Sequence, residues 1–137
     1  MKILLLDTNI VSFMFKSAPH AAAYRPYLQG SRQAVSFMTI AELYQWAFVH
    51  NWGERRLREL EQTFHNYTVF LANMKLCRLW ADVRTRCRKA GRPISPQDAW
   101  IAATALQYNI PLVTHNPDDF EPIEELDIIT TIRRQTS

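Results

Sequence analysis

The sequence predicts an α/β protein built on a parallel sheet, and three observations favour that class. Short apolar runs of strand length alternate with longer segments whose apolar residues repeat at helical spacing. The most apolar run, Lys2 to Leu6, is continuous, as is typical of a strand buried on both faces. The chain is 47% hydrophobic over 137 residues, enough for one core. We therefore expect a single domain over residues 1–137, with about five parallel strands flanked by helices.

In the first half, each predicted strand leads into a helix. The first strand ends at Asp7-Thr8-Asn9, a turn into a short helix. Thr39 opens another helix, because apolar residues repeat at helical spacing after it and Thr39 and Glu42 have the spacing of a capping box. Gly53 separates that helix from a charged one. The predicted elements here are strands at 2–6, 34–37 and 68–71, with helices at 20–28, 39–52 and 54–65 in addition to the short helix after the first strand.

In the second half, a long basic helix and an alanine-rich helix precede the last two strands. The basic helix starts at Asn73 and ends near Gly91. The next helix begins at Ser95-Pro96-Gln97-Asp98, where Ser95 and Asp98 again have capping-box spacing and Pro96 suits the first helical position. Strands are predicted at 111–114 and 126–131, separated by a turn at His115-Asn116-Pro117.

The charge distribution, the cysteines and the lengths of the apolar segments indicate which partners and which cellular compartment to expect. Seven basic residues and one acid lie between 75 and 92, a distribution that suits a phosphate-rich partner or simply a solvated helix face. Cys77 and Cys87 fall roughly 15 Å apart along one predicted helix and should be free thiols. No apolar segment has the length of a secretory signal or a membrane span, so we expect a cytoplasmic protein without membrane contact. On the basic helix, the predicted RNA-binding residues are Arg84, Arg88, Lys89 and Arg92.

Acidic residues follow the carboxyl ends of several predicted strands. Asp7 follows the first strand, Glu42 lies one helical turn after the second, and Asp118 and Asp119 follow the fourth. The carboxyl ends of parallel strands share one edge of the sheet, where ligands of such folds bind. Strand order alone does not place Asp98 there, because it begins a helix. Clustered carboxylates require protons or cations, and hard oxygen ligands favour Mg²⁺ or Mn²⁺.

Each acid also has a purely structural interpretation. Asp7, Glu42 and Asp98 all stand near predicted helix starts, where a carboxylate caps the helix or complements its dipole. Capping alone does not explain their apolar surroundings, since burying an unpaired acid is costly. Both interpretations stay open on the sequence.

Four segments together resemble the successive motifs of the PIN-domain family, most closely its VapC toxins. The order and spacing of the segments agree over essentially the whole chain. The segments are Leu4-Leu5-Leu6-Asp7-Thr8-Asn9, Thr39-Ile40-Ala41-Glu42-Leu43, Pro96-Gln97-Asp98-Ala99-Trp100-Ile101-Ala102-Ala103-Thr104-Ala105 and Val113-Thr114-His115-Asn116-Pro117-Asp118-Asp119-Phe120.

The resemblance implies a PIN-like fold and a metal-dependent endoribonuclease that cuts RNA with an activated water, leaving a 5′-phosphate and a 3′-hydroxyl. It implies that Asp7, Glu42 and Asp98 hold Mg²⁺ or Mn²⁺. Asp119 would be the fourth acid, although some members place that acid where this chain has Asn116. Thr8, Thr114 and Asn116 would orient the ligands.

The resemblance also implies partners: an RNA substrate, a cognate VapB-type antitoxin and a second copy in a homodimer. Two other functions stay open. A haloacid-dehalogenase-type phosphatase would use Asp7 and the Asp118-Asp119 pair, but its usual second acid is replaced here by Asn9. A non-catalytic PIN-like module would bind RNA or protein without cutting.

Overall fold

A five-stranded parallel sheet forms the centre of the computed structural model, which describes residues 1–133. Residues 134–137 of the predicted domain lie outside this range. The strand order is β3-β2-β1-β4-β5, and every neighbouring pair is parallel. The predicted α/β class is confirmed. The strands are β1 Lys2–Leu6, β2 Ser31–Ser36, β3 Thr68–Phe70, β4 Leu112–Val113 and β5 Ile128–Ile129.

Helices cover both faces of the sheet. Successive side chains of β1 point to opposite faces, so Leu5 packs with the core beneath α5 and α6, whereas Leu4 and Leu6 pack with the core beneath α1 to α4. A short 3₁₀ helix, Pro117–Phe120, follows β4. The α-helices are α1 Thr8–Lys16, α2 Pro19–Leu28, α3 Phe37–Val49, α4 Glu54–Phe64, α5 Met74–Lys89 and α6 Pro96–Tyr108.

The start of α3 differs from the sequence prediction. Ser36 is the N-cap, and its hydroxyl accepts a hydrogen bond from the Met38 backbone N–H at 3.0 Å. Thr39 therefore lies within the first turn, buried, and the predicted capping box of Thr39 and Glu42 is wrong. The error arises because Ser36 is an equally good cap and ends the strand one residue before the predicted Phe37. Glu42, past the first turn, is left without a capping role.

Two expectations from composition concern the thiols and the membrane. Cys77 and Cys87 are free, the first exposed and the second buried, as the sequence predicts. None of the helices in residues 1–133 combines the length and the apolar character that a bilayer crossing requires.

The path of the chain creates a crevice beside β1. From β1 the chain adds β2 and β3 on one side, and after α5 and α6 it returns to add β4 and β5 on the other. In open parallel sheets, the point where strand order reverses leaves a crevice at the carboxyl ends, because the flanking connections diverge there. Asp7 directly follows β1 and therefore lies at this crevice.

Candidate active site

Asp7 is the most deeply buried acid of the crevice. It is the N-cap of α1, and its Oδ1 accepts a hydrogen bond from the Thr8 backbone N–H at 2.8 Å. Its Oδ2 accepts a second from the Thr114 hydroxyl, just past β4, at 2.7 Å. Asp7 is thus both a helix cap and a carboxylate fixed across two strands, so the capping and cluster interpretations hold together for this residue.

The Asp7 carboxyl is hard to ionise. Burial raises its pKa from an ordinary 3.8 to about 6, against the hydrogen bonds from Thr114 and Thr8, which lower it. The negative charges of Glu42 and Asp119 raise it further. The sheet therefore holds a carboxylate in surroundings that favour its neutralisation.

Glu42 is held by the Thr8 hydroxyl, which Thr39 supports in turn. The Thr8 hydroxyl donates to Glu42 Oε1 at 2.8 Å and lies 2.9 Å from the Thr39 hydroxyl. Because Thr8 has one hydroxyl proton and gives it to Glu42, Thr39 is the donor in the second contact. Burial, the largest effect, raises the pKa of Glu42; the Thr8 hydrogen bond lowers it, and the charge of Asp98 raises it.

Asp98 reaches the same crevice from the first turn of α6. The Ser95 hydroxyl caps this helix, accepting the Asp98 backbone N–H at 3.0 Å. Burial raises the pKa of Asp98 from 3.8 to about 6, with further increases from the charges of Asp7 and Asp119 and a decrease from Ser95. This mutual influence indicates that the acids lie near one another, which the sequence does not establish for Asp98.

Three carboxylates and Asn116 line one cavity. The cavity is about 380 Å³, and its walls include Asp7, Glu42, Asp98 and Asn116. Asp119 is exposed on the 3₁₀ helix and is not part of these walls, although its charge acts on Asp7 and Asp98. The structure therefore brings together the first three predicted ligands and leaves Asp119 at the border.

The loop that carries Asp119 is tied to the end of α5. The Arg92 guanidinium forms an ion pair with Glu121 and donates to the Asp118 carbonyl oxygen at 3.1 Å. Asp118 itself is exposed. These contacts engage Arg92, one of the predicted RNA-binding residues, within the protein. Arg84 lies over the Trp80 ring at 5.4 Å, and Arg88 and Lys89 are exposed; their RNA binding stays a prediction.

The donor set fits a hard divalent cation in its chemistry. Carboxylate and amide oxygens are the ligands that Mg²⁺ and Mn²⁺ prefer, and burial, with the charges of neighbouring acids, raises the pKa values of Asp7 and Asp98, so a cation would stabilise their ionised forms. As the side chains stand in residues 1–133, no three His, Cys, Asp or Glu groups converge closely enough to hold one ion. Like-charged carboxylates repel, so binding an ion would require them to rotate inward.

The sequence does not predict the role of Thr39 or the placement of Lys16 and Trp46. The capping-box spacing indicates a helix cap at Thr39, whereas the structure uses its hydroxyl to support Thr8. Lys16 and Trp46 also line the cavity, and they come from different helices, α1 and α3. The helical spacing of Trp46 indicated a buried face, and no local signal pairs it with Lys16.

Together the fold and the cavity define a class: parallel α/β proteins that gather carboxylates from distant segments at the switch point of the sheet. The PIN domain family model matches residues 4–126. Ribonuclease VapC1 of Haemophilus influenzae strain R2866 is 36% identical over 126 residues, 90% of this chain and 94% of the relative. The structure of VapBC-1 from nontypeable Haemophilus influenzae aligns with a TM-score of 0.80 and 35% identity, over 93% of this chain and 97% of the other.

The chain therefore belongs to the PIN domain family and, within it, to the VapC group. A tRNA(fMet)-specific endonuclease VapC of Shigella flexneri is more distant, 29% identical over 119 residues, 87% of this chain and 90% of the relative. The family assignment and the predicted PIN-like fold agree, and the phosphatase alternative is excluded. Asn9, where that alternative needs an acid, accepts a 3.4 Å hydrogen bond from the His115 backbone N–H.

Proposed function

We propose that this chain is a divalent-metal-dependent endoribonuclease and the toxin of a toxin–antitoxin pair. The observation that carries the proposal is the single cavity that Asp7, Glu42 and Asp98, from three distant segments, all line. Some relatives of the VapC group are named ribonucleases and two are named tRNA(fMet)-specific endonucleases, which supports RNA as the substrate. Transfer RNA is therefore the first substrate to test.

Asp7, Glu42 and Asp98 are the proposed ligands of Mg²⁺ or Mn²⁺. When bound, such a cation supplies charge for the phosphate and lowers the pKa of water, which makes hydrolysis of a phosphodiester feasible at neutral pH. Thr114 and the Thr8 backbone N–H each occupy one lone pair on the two oxygens of Asp7, and the Thr8 hydroxyl occupies one on Glu42, so each carboxylate retains lone pairs for a ligand.

The fourth position of the site has two candidates. Asn116 lines the cavity, and its backbone N–H donates to the Thr114 hydroxyl at 3.0 Å. Asp119 is exposed beside the cavity and carries a negative charge, whereas the side chain of Asn116 is neutral. We propose that Asp119 assists in binding through charge and that Asn116 orients bound water or phosphate through its amide.

A VapB-type antitoxin is the proposed protein partner. The solved relatives include VapBC complexes from Haemophilus influenzae and from Salmonella typhimurium. A basic side chain of the antitoxin entering the acidic cavity would substitute for the cation and inhibit cleavage. The homodimer predicted from the sequence remains a prediction.

The direct test is incubation of the purified protein with total RNA in Mg²⁺, Mn²⁺ or EDTA, followed by mapping of the cut ends. We expect 5′-phosphate and 3′-hydroxyl ends with either metal and no cleavage in EDTA. Asp7→Asn and Asp98→Asn should abolish cleavage, whereas Asp118→Asn, a matched change at an exposed neighbour, should not.

Three outcomes would contradict the proposal. Undiminished cleavage in EDTA, or full activity in both variants, would remove the metal role. Strong metal-independent RNA binding without products over long incubation would identify the chain as a non-catalytic module.

A further inference from the structure

An aromatic platform borders the acidic cavity. It consists of Phe15, Trp46 and Trp52, whose rings contact one another. The centroids of Trp46 and Trp52 are 4.8 Å apart, and Phe15 stacks on Trp52 at 5.6 Å. Trp46 is also part of the cavity wall, so the platform begins where the acids end.

Two cations rest on this platform. The Lys16 ammonium lies 4.3 Å from the centre of the Trp46 ring, and the Arg56 guanidinium lies 4.2 Å from the centre of the Trp52 ring. Both side chains are exposed. Cation–π contacts of this kind contribute roughly 0.5–1 kcal/mol at exposed sites, enough to favour one placement of a flexible side chain.

The position of Lys16 is unexpected from charge alone. Lys16 is the only basic residue among those that line the cavity in the described part of the chain. A lysine beside three carboxylates would be expected to form an ion pair with one of them, yet within residues 1–133 none lies within 4.0 Å of its ammonium. The ring holds the ammonium at the cavity mouth, so the acids stay available for a cation and Lys16 for an anion.

We propose that the platform and its cations form the track for the RNA backbone next to the cutting site, an inference that rests on the proposed function. Lys16 binds a phosphate of the RNA strand at the mouth of the cavity, and Arg56 binds a phosphate farther out. Trp46 and Trp52 are positioning residues that hold the two cations. The track runs over α1, α3 and α4 and leaves the basic face of α5 outside the path.

The test measures binding and not cleavage. All variants are made in the Asp98→Asn chain, and binding of end-labelled unfractionated tRNA is followed by fluorescence anisotropy over a salt titration at fixed Mg²⁺. Each phosphate contact that is lost lowers the slope of log affinity against log salt by about 0.7–1. We expect Lys16→Gln and Arg56→Gln each to lower the slope by this amount and the affinity about 3- to 10-fold, with Lys16→Arg close to the parent.

Matched controls separate a track from a general effect of charge. Arg55→Gln changes the same charge one residue from Arg56, at an exposed side chain that pairs with Glu59 at 3.8 Å, and should leave the slope unchanged. An equal loss with Arg55→Gln would overturn the proposal, as would a loss confined to Arg84→Gln and Arg88→Gln on α5. Unchanged slopes for Lys16→Gln and Arg56→Gln would overturn it as well.

The proposed function fails separately, because it is judged by cleavage in the unmodified chain. If the chain binds tRNA through Lys16 and Arg56 but does not cut RNA with Mg²⁺, the proposed track stands and the proposed nuclease function is wrong. If the chain cuts RNA but Lys16→Gln and Arg56→Gln leave the slope unchanged, the nuclease function stands and the track is wrong.

Discussion

The four acids in and beside the cavity form two pairs, or halves, that are held differently. Asp7 and Glu42 are fixed by hydroxyls from other segments: Thr114 holds Asp7, and Thr8 holds Glu42. Asp98 and Asp119 instead depend on the local backbone that carries them, the first turn of α6 and the 3₁₀ helix after β4. Tertiary hydrogen bonds therefore position Asp7 and Glu42, whereas the local helix backbone positions Asp98 and Asp119.

The difference shows that similar pKa values can have different origins. Asp7 and Asp98 both have a pKa of about 6, and burial is the largest cause for both. For Asp98 the charges of Asp7 and Asp119 come next, whereas for Asp7 the next contributions are hydrogen bonds that lower the pKa. The free-energy cost of ionising Asp7 is therefore set mainly by its burial. The cost of ionising Asp98 depends also on the charges of neighbouring acids.

The largest expected effect is on stability without metal. Since the folded pKa of Asp7 is raised, the folded state binds a proton more tightly than the unfolded chain, and the cost of the ionised carboxylate is present above pH 6 and gone below 3.8. The difference between 3.8 and about 6 sets an upper bound of roughly 3 kcal/mol. In EDTA near neutral pH, Asp7→Asn should raise the free energy of unfolding measured in urea.

The same measurement distinguishes the two halves. The gain from Asp7→Asn should shrink as the pH falls from 7 towards 4, and Asp98→Asn should give a smaller gain because solvent screens its half-buried carboxylate. A gain for Asp7→Asn that does not depend on pH would refute the explanation by ionisation. An equal gain in the free energy of unfolding for Asp7→Asn and Asp98→Asn would show that the two halves do not differ in the cost of ionisation.

The second effect concerns the hydroxyls that support the acids. Thr114→Val keeps the shape of the buried side chain and removes the donor to Asp7, so we expect about 10- to 100-fold weaker Mg²⁺ binding or cleavage. Ser95→Ala removes the cap of α6 and should cost on the order of 1 kcal/mol of stability with a smaller loss of cleavage. Cleavage rates and isothermal titration with Mg²⁺ measure both variants. Equal losses of cleavage would contradict the division into halves.

The smallest effect is electrostatic. Asp119→Asn removes a charge that raises the pKa of both Asp98 and Asp7, but this charge ranks higher among the causes for Asp98. We expect the pKa of Asp98 to fall more than that of Asp7 when carboxyl carbons are titrated by NMR in EDTA. Asp118→Asn is the matched control. A larger fall at Asp7 would place Asp119 nearer to Asp7 in solution.

Much of the fold was predictable because apolar runs mark buried strands. The bounds of β1 agree with the predicted 2–6, and all five strands appear in the predicted order along the chain. A predicted bound is wrong where two residues could both cap the same helix. Ser36 rather than Thr39 caps α3, and β2 therefore ends earlier than predicted. β2 also begins at Ser31 rather than at the predicted Ala34, since pairing with β1 extends it beyond the apolar run.

The candidate site was predictable where it follows strand ends. Asp7 and Thr114 lie just past neighbouring parallel strands, so their proximity follows from topology. Asp98 does not follow a strand, and only the packing of α6 brings it to the cavity. The contact of Lys16 with Trp46 joins two helices and has no periodic signature, so sequence reasoning had no means to find it.

The hydrogen bond between Asp7 and Thr114 has a consequence for biosynthesis. The ribosome makes the Thr114 hydroxyl 107 residues after Asp7. Until β4 has left the ribosome and paired with β1, the crevice lacks the side formed by β4, and Asp7 lacks its hydrogen bond from Thr114. A chain that stops before β4 is thus expected to lack a complete site, and the ability to cut arises only after β4 has been made and has paired with β1.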